Sequence, residues 1–343
     1  MSGLNTGTSG RLHQSPSGNR FRIIAWILAV PILLAVIGWE ILTVYYSNLP
    51  DGLRLPGAIA IALISIGTLI GIRPAARSFL VFFCVFSIVI TWFFLIPPAN
   101  DRIWLPENER LSWADIDGDQ ITVHNIRNFD YRTETDFTPA YYDRTFYLSE
   151  LTSVDVIAVY WMGPAIAHVL LSFGFAGGDH LAISIEARKE KGEGYSTVKG
   201  FFRQYELYYV VADERDVIRL RTNYRRDPPE DVYVYRLYGS IENGRRLFLA
   251  YMDQINRLKA EPEFYNSLTT NCTTNIWLNT RINPDHLPFS WKILASGYVP
   301  EYLYERGLLK NSRPFSEIQK QAHVNSRAMA ADTAPDFSQR IRE

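Results

Sequence analysis

Hydrophobic and polar positions divide the chain into two unlike parts. Residues 21–46, 55–72 and 78–98 are almost wholly apolar. As helices rising 1.5 Å per residue, such runs have the length needed to cross the roughly 30 Å hydrocarbon layer of a bilayer. The pattern therefore predicts three transmembrane helices within residues 21–98, joined by short polar loops.

Beyond residue 100 the apolar residues fall in short runs rich in Val, Ile, Tyr and Phe, which are typical of β-strands. Gly177 and Gly178 separate two of these runs and predict a hairpin turn, because glycine readily adopts the positive φ angles that tight turns need. The predicted strands are residues 121–126, 154–161, 167–175, 180–188, 205–212, 217–222 and 232–237.

Two helices are predicted after the strands. Apolar residues at helical spacing extend from Ser240 to Lys259, and a second helix is predicted to begin at Asn271 or Cys272 and to end near Pro284. Strands followed by helices indicate an α+β domain with a mostly antiparallel sheet, here over residues 100–311. The polar composition of residues 1–20 and 312–343 predicts disordered tails.

The basic residues predict an orientation in the membrane. Arg11, Arg20 and Arg22 precede the first apolar run, and Arg73 and Arg77 lie between the second and third runs. Because basic loops stay on the cytoplasmic side, we expect a multi-pass protein of the inner membrane with its C-terminal domain in the periplasm. The formal net charge of −1 argues against a nucleic-acid partner.

Acidic residues cluster at residues 115–119, in the run Asp-Ile-Asp-Gly-Asp. The glycine follows the second acid instead of the third and no glutamate closes the loop, so the spacing departs from that of a calcium loop. A solvated turn fits the run better. Since Cys and His residues are not clustered either, we expect neither a metal nor another cofactor.

Only two cysteines occur: Cys84 lies in the third apolar run and Cys272 in the later domain. The sequence around Cys272, Asn-Cys-Thr-Thr-Asn, places it at the start of a helix, where unpaired amides and the helix dipole stabilise a thiolate. Its own N–H could also face an oxyanion. This position suits a nucleophile; the alternative is that Asn271 only caps the helix and Cys272 packs in the core.

A thiol nucleophile needs a base, and the predicted hairpin offers two histidines. His168 and His180 lie near the starts of its two strands, and either imidazole could accept the proton of Cys272. A single histidine on a strand is often structural. Two histidines on one hairpin, followed by a cysteine on a helix, form a joint pattern that favours catalysis.

Five segments carry a resemblance to a known family: residues 142–146, 167–175, 181–190, 202–206 and 264–275. Together they resemble the Lnb N-terminal periplasmic domain family. The resemblance spans about residues 101–306 and implies a papain-like (permuted NlpC/P60-type) fold, in which the histidine precedes the cysteine. It also implies thiol chemistry, because the family includes a lipoprotein N-acyltransferase.

The lecithin:retinol acyltransferase-like enzymes are similar in a second respect. They carry a strand histidine, another histidine twelve residues later and an Asn-Cys helix start, and His168 and His180 are also twelve residues apart. This resemblance implies that His168 is the general base, Cys272 the nucleophile and His180 the residue that orients His168. Glu186, on the same strand face as His180, is the alternative orienting residue.

Three further residues are candidates for substrate binding. Arg203 and Tyr205 belong to a segment that resembles the family, and Asn271 adjoins the predicted nucleophile. An arginine beside strand aromatics can equally be a packed surface residue, so that alternative stays open.

The expected function is that of a membrane-anchored periplasmic cysteine acyltransferase. A membrane phospholipid would donate its acyl chain through a thioester, and the N-terminus of a lipoprotein or another amine would accept it. The alternatives are a periplasmic cysteine peptidase or amidase of the cell envelope, and a non-catalytic envelope scaffold.

Overall fold

The computed structural model describes residues 16–309 and 312–343, so most of the predicted N-terminal tail lies outside the described residues. Contacts divide the chain into two compact units, residues 1–96 and residues 97–343. Each unit has an apolar core of its own.

The first unit contains three apolar helices: α1 (Pro16–Tyr45), α2 (Asp51–Gly71) and α3 (Ala75–Leu95). Each contains a stretch long and apolar enough to span a membrane, which confirms the three predicted spans. Val44, Ala58 and Val89, one from each helix, pack together. Ser65 of α2 donates a hydrogen bond of 2.8 Å to the Glu40 carboxylate of α1, so two polar groups satisfy each other where lipid cannot.

The second unit is built on a twisted, mostly antiparallel sheet, as predicted. Its strands are β1 (Trp113–Asp117), β2 (Gln120–Arg127), β5 (Tyr141–Tyr147), β6 (Leu151–Tyr160), β7 (Ala167–Phe175), β8 (His180–Arg188), β9 (Glu206–Asp213) and β10 (Asp231–Arg236). β3 (Asp130–Tyr131) and β4 (Phe137–Thr138) form a separate small sheet. The order in the large sheet is β1-β2-β9-β8-β7-β6-β10, with β5 also paired to β2. The β2–β9 pairing is parallel.

Helices cover both faces of this sheet. They are α4 (Glu214–Arg219), α5 (Ile241–Ala260), α6 (Cys272–Thr280), α7 (Trp291–Leu294), α8 (Val299–Glu305), α9 (Phe315–Ala322), α10 (Asn325–Ala330) and α11 (Phe337–Arg340). α4 continues into a π-helical segment, Leu220–Tyr224. The mixture of helices with a mostly antiparallel sheet confirms the predicted α+β class, whereas the permuted papain-like arrangement stays a prediction.

The first face of the sheet packs against α5, α6 and α8. Side chains that alternate along β7, among them Val169 and Leu171, meet Leu247 of α5, Ile276 of α6 and Leu303 of α8. The residues between them on the strands point the other way, because successive side chains of a strand face opposite sides of the sheet.

The second face packs against α4, α10 and α11. Leu170 of β7 and Ala182 of β8 meet Val217 of α4, Val324 and Phe337. The two faces therefore have separate apolar cores, and every residue of β7 and β8 can be assigned to one of them.

Residues 217–222 form helix, so the predicted strand there is wrong. The β-branched residues Val217 and Ile218 favoured a strand in the sequence. The Asp213 side chain, however, accepts a hydrogen bond of 2.9 Å from the backbone N–H of Arg215 and caps a helix. Burial of both apolar residues against the second face then outweighs their propensity.

The predicted disordered tail at residues 312–343 is also wrong. The segment forms α9, α10 and α11, and Phe337 and Ile341 are buried in the second-face core. Arg342 pairs with the buried carboxylates of Asp155 and Glu214. These long-range contacts stabilise helices that the polar composition of the segment does not indicate.

Candidate functional site

α6 begins where the sequence predicted. The Asn271 side-chain oxygen accepts a hydrogen bond of 3.0 Å from the backbone N–H of Thr274, which is N-cap geometry. The same oxygen accepts bonds from the hydroxyls of Thr273 and Thr274, and the Asn271 amide donates to the Ser267 carbonyl. Asn271 is therefore the cap that fixes the start of α6; its contact with a substrate stays a prediction.

Cys272 is the first residue of α6 and is half-buried. Burial raises the pKa of its thiol, and the negative charge of Glu186 raises it further, while the backbone amides of Val169 and Thr273 act in the opposite direction. The thiol is thus protonated at neutral pH. The sequence predicted that the helix start stabilises a thiolate at Cys272. That prediction is wrong, because burial raises the thiol pKa more than the backbone amides lower it.

The strands β7 and β8 separate beside this helix. Their pairing ends at Leu171–Ile183, and beyond that point β7 pairs with β6 alone and β8 with β9 alone. We call the unpaired stretch between residues 167–170 and residues 184–188 the strand gap. No ladder of backbone hydrogen bonds closes the strand gap, so side chains instead of backbone groups meet across it.

A chain of hydrogen bonds crosses the strand gap from His168. His168 Nε2 lies 2.6 Å from Ser184 Oγ, and the Ser184 hydroxyl donates to Glu186 Oε1 at 2.8 Å. Since Ser184 has one proton and gives it to Glu186, its oxygen accepts from His168. The network therefore assigns the imidazole proton to Nε2 and leaves Nδ1 as the basic nitrogen. In the described residues Nδ1 has no hydrogen-bond partner.

Arginines near Glu186 shift the pKa values of the groups in this hydrogen-bond network. Arg221 donates a bond of 3.0 Å to Glu186 Oε1 and, against the effect of burial, holds the pKa of that carboxyl well below its usual range. Burial, together with the charges of Arg221 and Arg225, lowers the pKa of His168 to about 3, although Glu186 opposes the shift. His168 is therefore neutral at physiological pH and can accept a proton.

Cys272 and His168 reach the strand gap from opposite faces. Cys272 packs against the first-face core, to which Val169 belongs, whereas His168 contacts Ser184 and lies 3.7 Å from Glu186 on the second-face side. The Val169 amide that acts on the thiol is the peptide group joining His168 to Val169, so the sulfur adjoins the backbone of the predicted base. Within the described part of the chain, no hydrogen bond joins the two side chains.

Residues 137–297 match the family model described as the Lnb N-terminal periplasmic domain. The Lnb N-terminal periplasmic domain family is thus what this segment is similar to. The match confirms the family resemblance and includes the whole strand gap with Cys272, His168, Ser184 and Glu186. The matched region extends from β4 to the turn after α7, so the strands β1 to β3 and the helices α8 to α11 lie outside it. No curated protein and no solved structure matches the chain.

His180 cannot orient His168, so that prediction is wrong. In the antiparallel register His180 is opposite Gly174, six residues along β7 from His168, or roughly 20 Å at strand spacing. Its Nδ1 contacts the Gly178 carbonyl in the hairpin turn. Glu186, the open alternative, is the residue that reaches His168, directly at 3.7 Å and through Ser184.

The other two predicted substrate-binding residues are Tyr205 and Arg203. Tyr205 is fully buried, and its hydroxyl donates to the Gly194 carbonyl and accepts from the Ser196 amide. It holds a loop in place and has no surface for a substrate, so this prediction is wrong. The Arg203 guanidinium lies over the Phe264 ring, 5.2 Å from its centroid, as expected for the packed alternative.

Two residues of the hydrogen-bond network around His168 were not predicted from the sequence: Ser184 and Arg221. Ser184 alternates with Glu186 along β8, so both face the same side, and this spacing could have placed it beside Glu186. Arg221 lies in the π-helical segment, part of which the sequence predicted to be a strand. No sequence motif marks Arg221 as a site residue.

The raised pKa of Cys272 predicts slow alkylation of its thiol near neutral pH. We expect iodoacetamide to react with Cys272 mainly at alkaline pH, without the acidic plateau that a thiolate–imidazolium pair would give. Glu186→Gln removes a negative charge that raises the thiol pKa, so the rate profile should move to lower pH. Mass spectrometry of the alkylated peptide in a Cys84→Ser background measures this.

The matched control for the alkylation experiment is Glu242→Gln on α5, because Glu242 is an exposed carboxylate paired with Arg245. Its alkylation profile should coincide with that of the parent protein. A Cys272 that is alkylated at full rate below neutral pH would contradict the neutral resting state.

Proposed function

We propose that this protein is a membrane-anchored, cysteine-dependent acyltransferase of the inner membrane whose site faces the periplasm. Cys272 Sγ forms a bond to the ester carbonyl of a phospholipid while His168 takes the thiol proton. The ester C–O bond breaks, and the lysophospholipid leaves with that proton. An amine then attacks the thioester, its nitrogen–carbon bond replaces the sulfur–carbon bond, and the proton lost by the amine restores the thiol.

The observation that carries this proposal is the position of the Cys272 sulfur against the peptide group of His168 and Val169. A base must be near the proton that it accepts, and Nδ1 of His168 is the nitrogen that the network with Ser184 and Glu186 leaves unprotonated. Both groups are neutral at rest. Proton transfer therefore accompanies the attack instead of preceding it, as with a hydroxyl nucleophile.

Substrate binding is expected to bring the two side chains together. Catalytic hydrogen bonds are often long or misaligned in free enzymes and shorten only in the complex. The proposal requires the imidazole to turn within the strand gap, where backbone pairing does not close the sheet between His168 and Ser184. Turning His168 about its side-chain torsions would direct Nδ1 towards the first face.

Membrane anchoring supports a lipid as the acyl donor. Three helices long and apolar enough to span a membrane precede the domain, and the matched family is a periplasmic domain family. Confining the enzyme, a lipid donor and a lipid-linked acceptor to one surface replaces free diffusion by a high local concentration. By family resemblance, the acceptor is the terminal amine of a diacylglyceryl-cysteine lipoprotein.

The test is to look for the acyl-enzyme and for its product. Phospholipid carrying a radiolabelled fatty acid should transfer label to Cys272 of the full-length protein in lipid nanodiscs, and hydroxylamine should release it. Mass spectrometry of lipoprotein N-termini should show an additional amide-linked acyl chain only in cells that express the protein. Label that stays with the phospholipid, together with unchanged lipoprotein N-termini, would overturn the proposal.

A thiol hydrolase of envelope peptides is the second candidate function, since a half-buried thiol is also accessible to water. In that reaction water replaces the amine, and the same protein would cleave cell-wall peptides without retaining label. The third candidate is a non-catalytic scaffold, favoured by the missing hydrogen bond between Cys272 and His168. Full biological activity of both Cys272→Ala and His168→Ala, at normal expression, would support the scaffold.

A further inference from the structure

An apolar cavity of about 270 Å³ lies between the first face of the sheet and the helices α5, α6 and α8. Val156 and Leu171 of the sheet, Leu247 of α5, Ile276 of α6 and Leu303 of α8 are among the side chains that line it. The cavity is thus bounded by the same core residues that position α6.

This cavity begins beside the candidate nucleophile. Val169, whose amide lies against the Cys272 thiol, and Thr273, the next residue of α6, both line it. Further lining residues follow along α6, with Ile276 one turn and Thr280 two turns beyond Cys272. The eight-residue rise from Cys272 to Thr280 is about 12 Å, so the cavity follows the helix away from the sulfur.

The lining excludes a charged ligand from the interior. Among the described residues that form it, none is Lys or Arg, and the acidic Asp285 already accepts hydrogen bonds from the Asn243 amide. His286 is likewise engaged, with its Nδ1 3.1 Å from the Asn283 carbonyl. What remains for a ligand is a mainly apolar space.

The width of the cavity is limited on the α5 side. Gly244 lines it where α5 passes close to β6, and an added Cβ there would lie 3.0 Å from a methyl group of Val154. Pockets for compact drug-sized ligands typically measure about 300–1,000 Å³, so this volume suits one linear chain and not two.

We propose that this cavity binds a single fatty acyl chain of a membrane lipid, with the chain carbonyl at Cys272 and the chain running along α6 towards Thr280. The assignment rests on the proposed function, because it takes the chain to be the group that forms the thioester. The membrane spanned by α1, α2 and α3 supplies such lipids. The depth of the cavity along α6 then sets which chain lengths are accepted.

Chain-length selectivity tests this assignment. In full-length protein in nanodiscs, the rates of acyl-enzyme formation from acetyl, octanoyl and palmitoyl thiol-reactive esters are compared. Ile276→Trp fills the cavity one turn from Cys272 and should lower the palmitoyl-to-acetyl rate ratio about tenfold or more. Thr280→Trp fills it two turns away and should reduce the palmitoyl rate while sparing octanoyl transfer.

Leu278→Trp is the matched control, because Leu278 lies on the exposed side of the same helix and does not line the cavity. It should keep the parent ratio of rates. Equal rates for all three esters in the parent, unchanged by either cavity-filling variant, would overturn the assignment while leaving thiol acyl chemistry intact.

A second measurement does not depend on catalysis. Palmitic acid with a photoreactive diazirine at its methyl end is cross-linked to the Cys272→Ser protein, and labelled peptides are identified by mass spectrometry. We expect label on residues 241–260 and 272–280, reduced in Ile276→Trp. Label confined to residues 16–95 would overturn the acyl-chain site even if acyl transfer is observed, whereas label in the cavity without any acyl-enzyme would overturn the proposed function alone.

Discussion

Cys272→Ser is expected to lower acyl transfer by roughly a thousandfold or more, without a comparable loss of stability. A serine hydroxyl is far less nucleophilic than a thiol at its ordinary pKa, and losing a covalent nucleophile is among the largest single effects in enzymes. The side chains are nearly the same size, so the packing of α6 should persist. The measurement is the rate of label transfer from phospholipid to acceptor by the full-length protein.

Cys84→Ser is the control for this substitution, because Cys84 is exposed on the membrane-spanning helix α3 and should not affect the rate. His168→Ala should cause a similarly large loss. The double variant Cys272→Ser/His168→Ala should be little slower than either single one, since residues that act as a unit are strongly non-additive. Independent, multiplying losses would mean that the two residues do not share one step.

Asp216→Ala is expected to destabilise the second unit by about 3–5 kcal/mol, because it leaves the buried Arg127 guanidinium without its counter-charge. Asp216 is fully buried and accepts two parallel bonds from Arg127, at 3.0 and 2.7 Å. It also accepts bonds from the Phe129 amide and the Tyr131 hydroxyl. One carboxylate thus joins α4 to β2 and β3.

The free energy of unfolding of the full-length protein in nanodiscs, from urea titration followed by tryptophan fluorescence, measures this loss. Asp136→Ala is the matched control, because Asp136 also pairs with an arginine, Arg132, but both side chains are more than half exposed. Exposed ion pairs contribute little to stability, so its midpoint should match that of the parent. Equal midpoints for both variants would show that the buried pair does not stabilise the fold.

Local patterns predicted the elements that carry the site. β7 and β8 agree with the predicted bounds, because continuous apolar runs flank a glycine turn. The start of α6 also agrees, because an asparagine cap is a short-range signal. Both features depend on residues close together in sequence, which a single chain reveals.

Long-range geometry decided what the sequence could not predict. The choice between His180 and Glu186 depended on the register of the hairpin and on where its pairing ends. The helices α10 and α11 depended on burial against the second face and on the pairing of Arg342 with distant carboxylates, and α9 depended on packing of Ala322 in the first-face core. Arg221 lies in a helical segment that the sequence predicted to be a strand, because β-branched residues favour strands.

The neutral resting state of Cys272 has a consequence for the proposed location of this thiol in an oxidising compartment. Peroxides and disulfides attack the thiolate, and susceptibility to sulfenic acid formation follows thiolate content and accessibility. A half-buried thiol whose pKa is raised by burial presents little of that form. Cys272 should therefore be oxidised more slowly than an exposed thiolate.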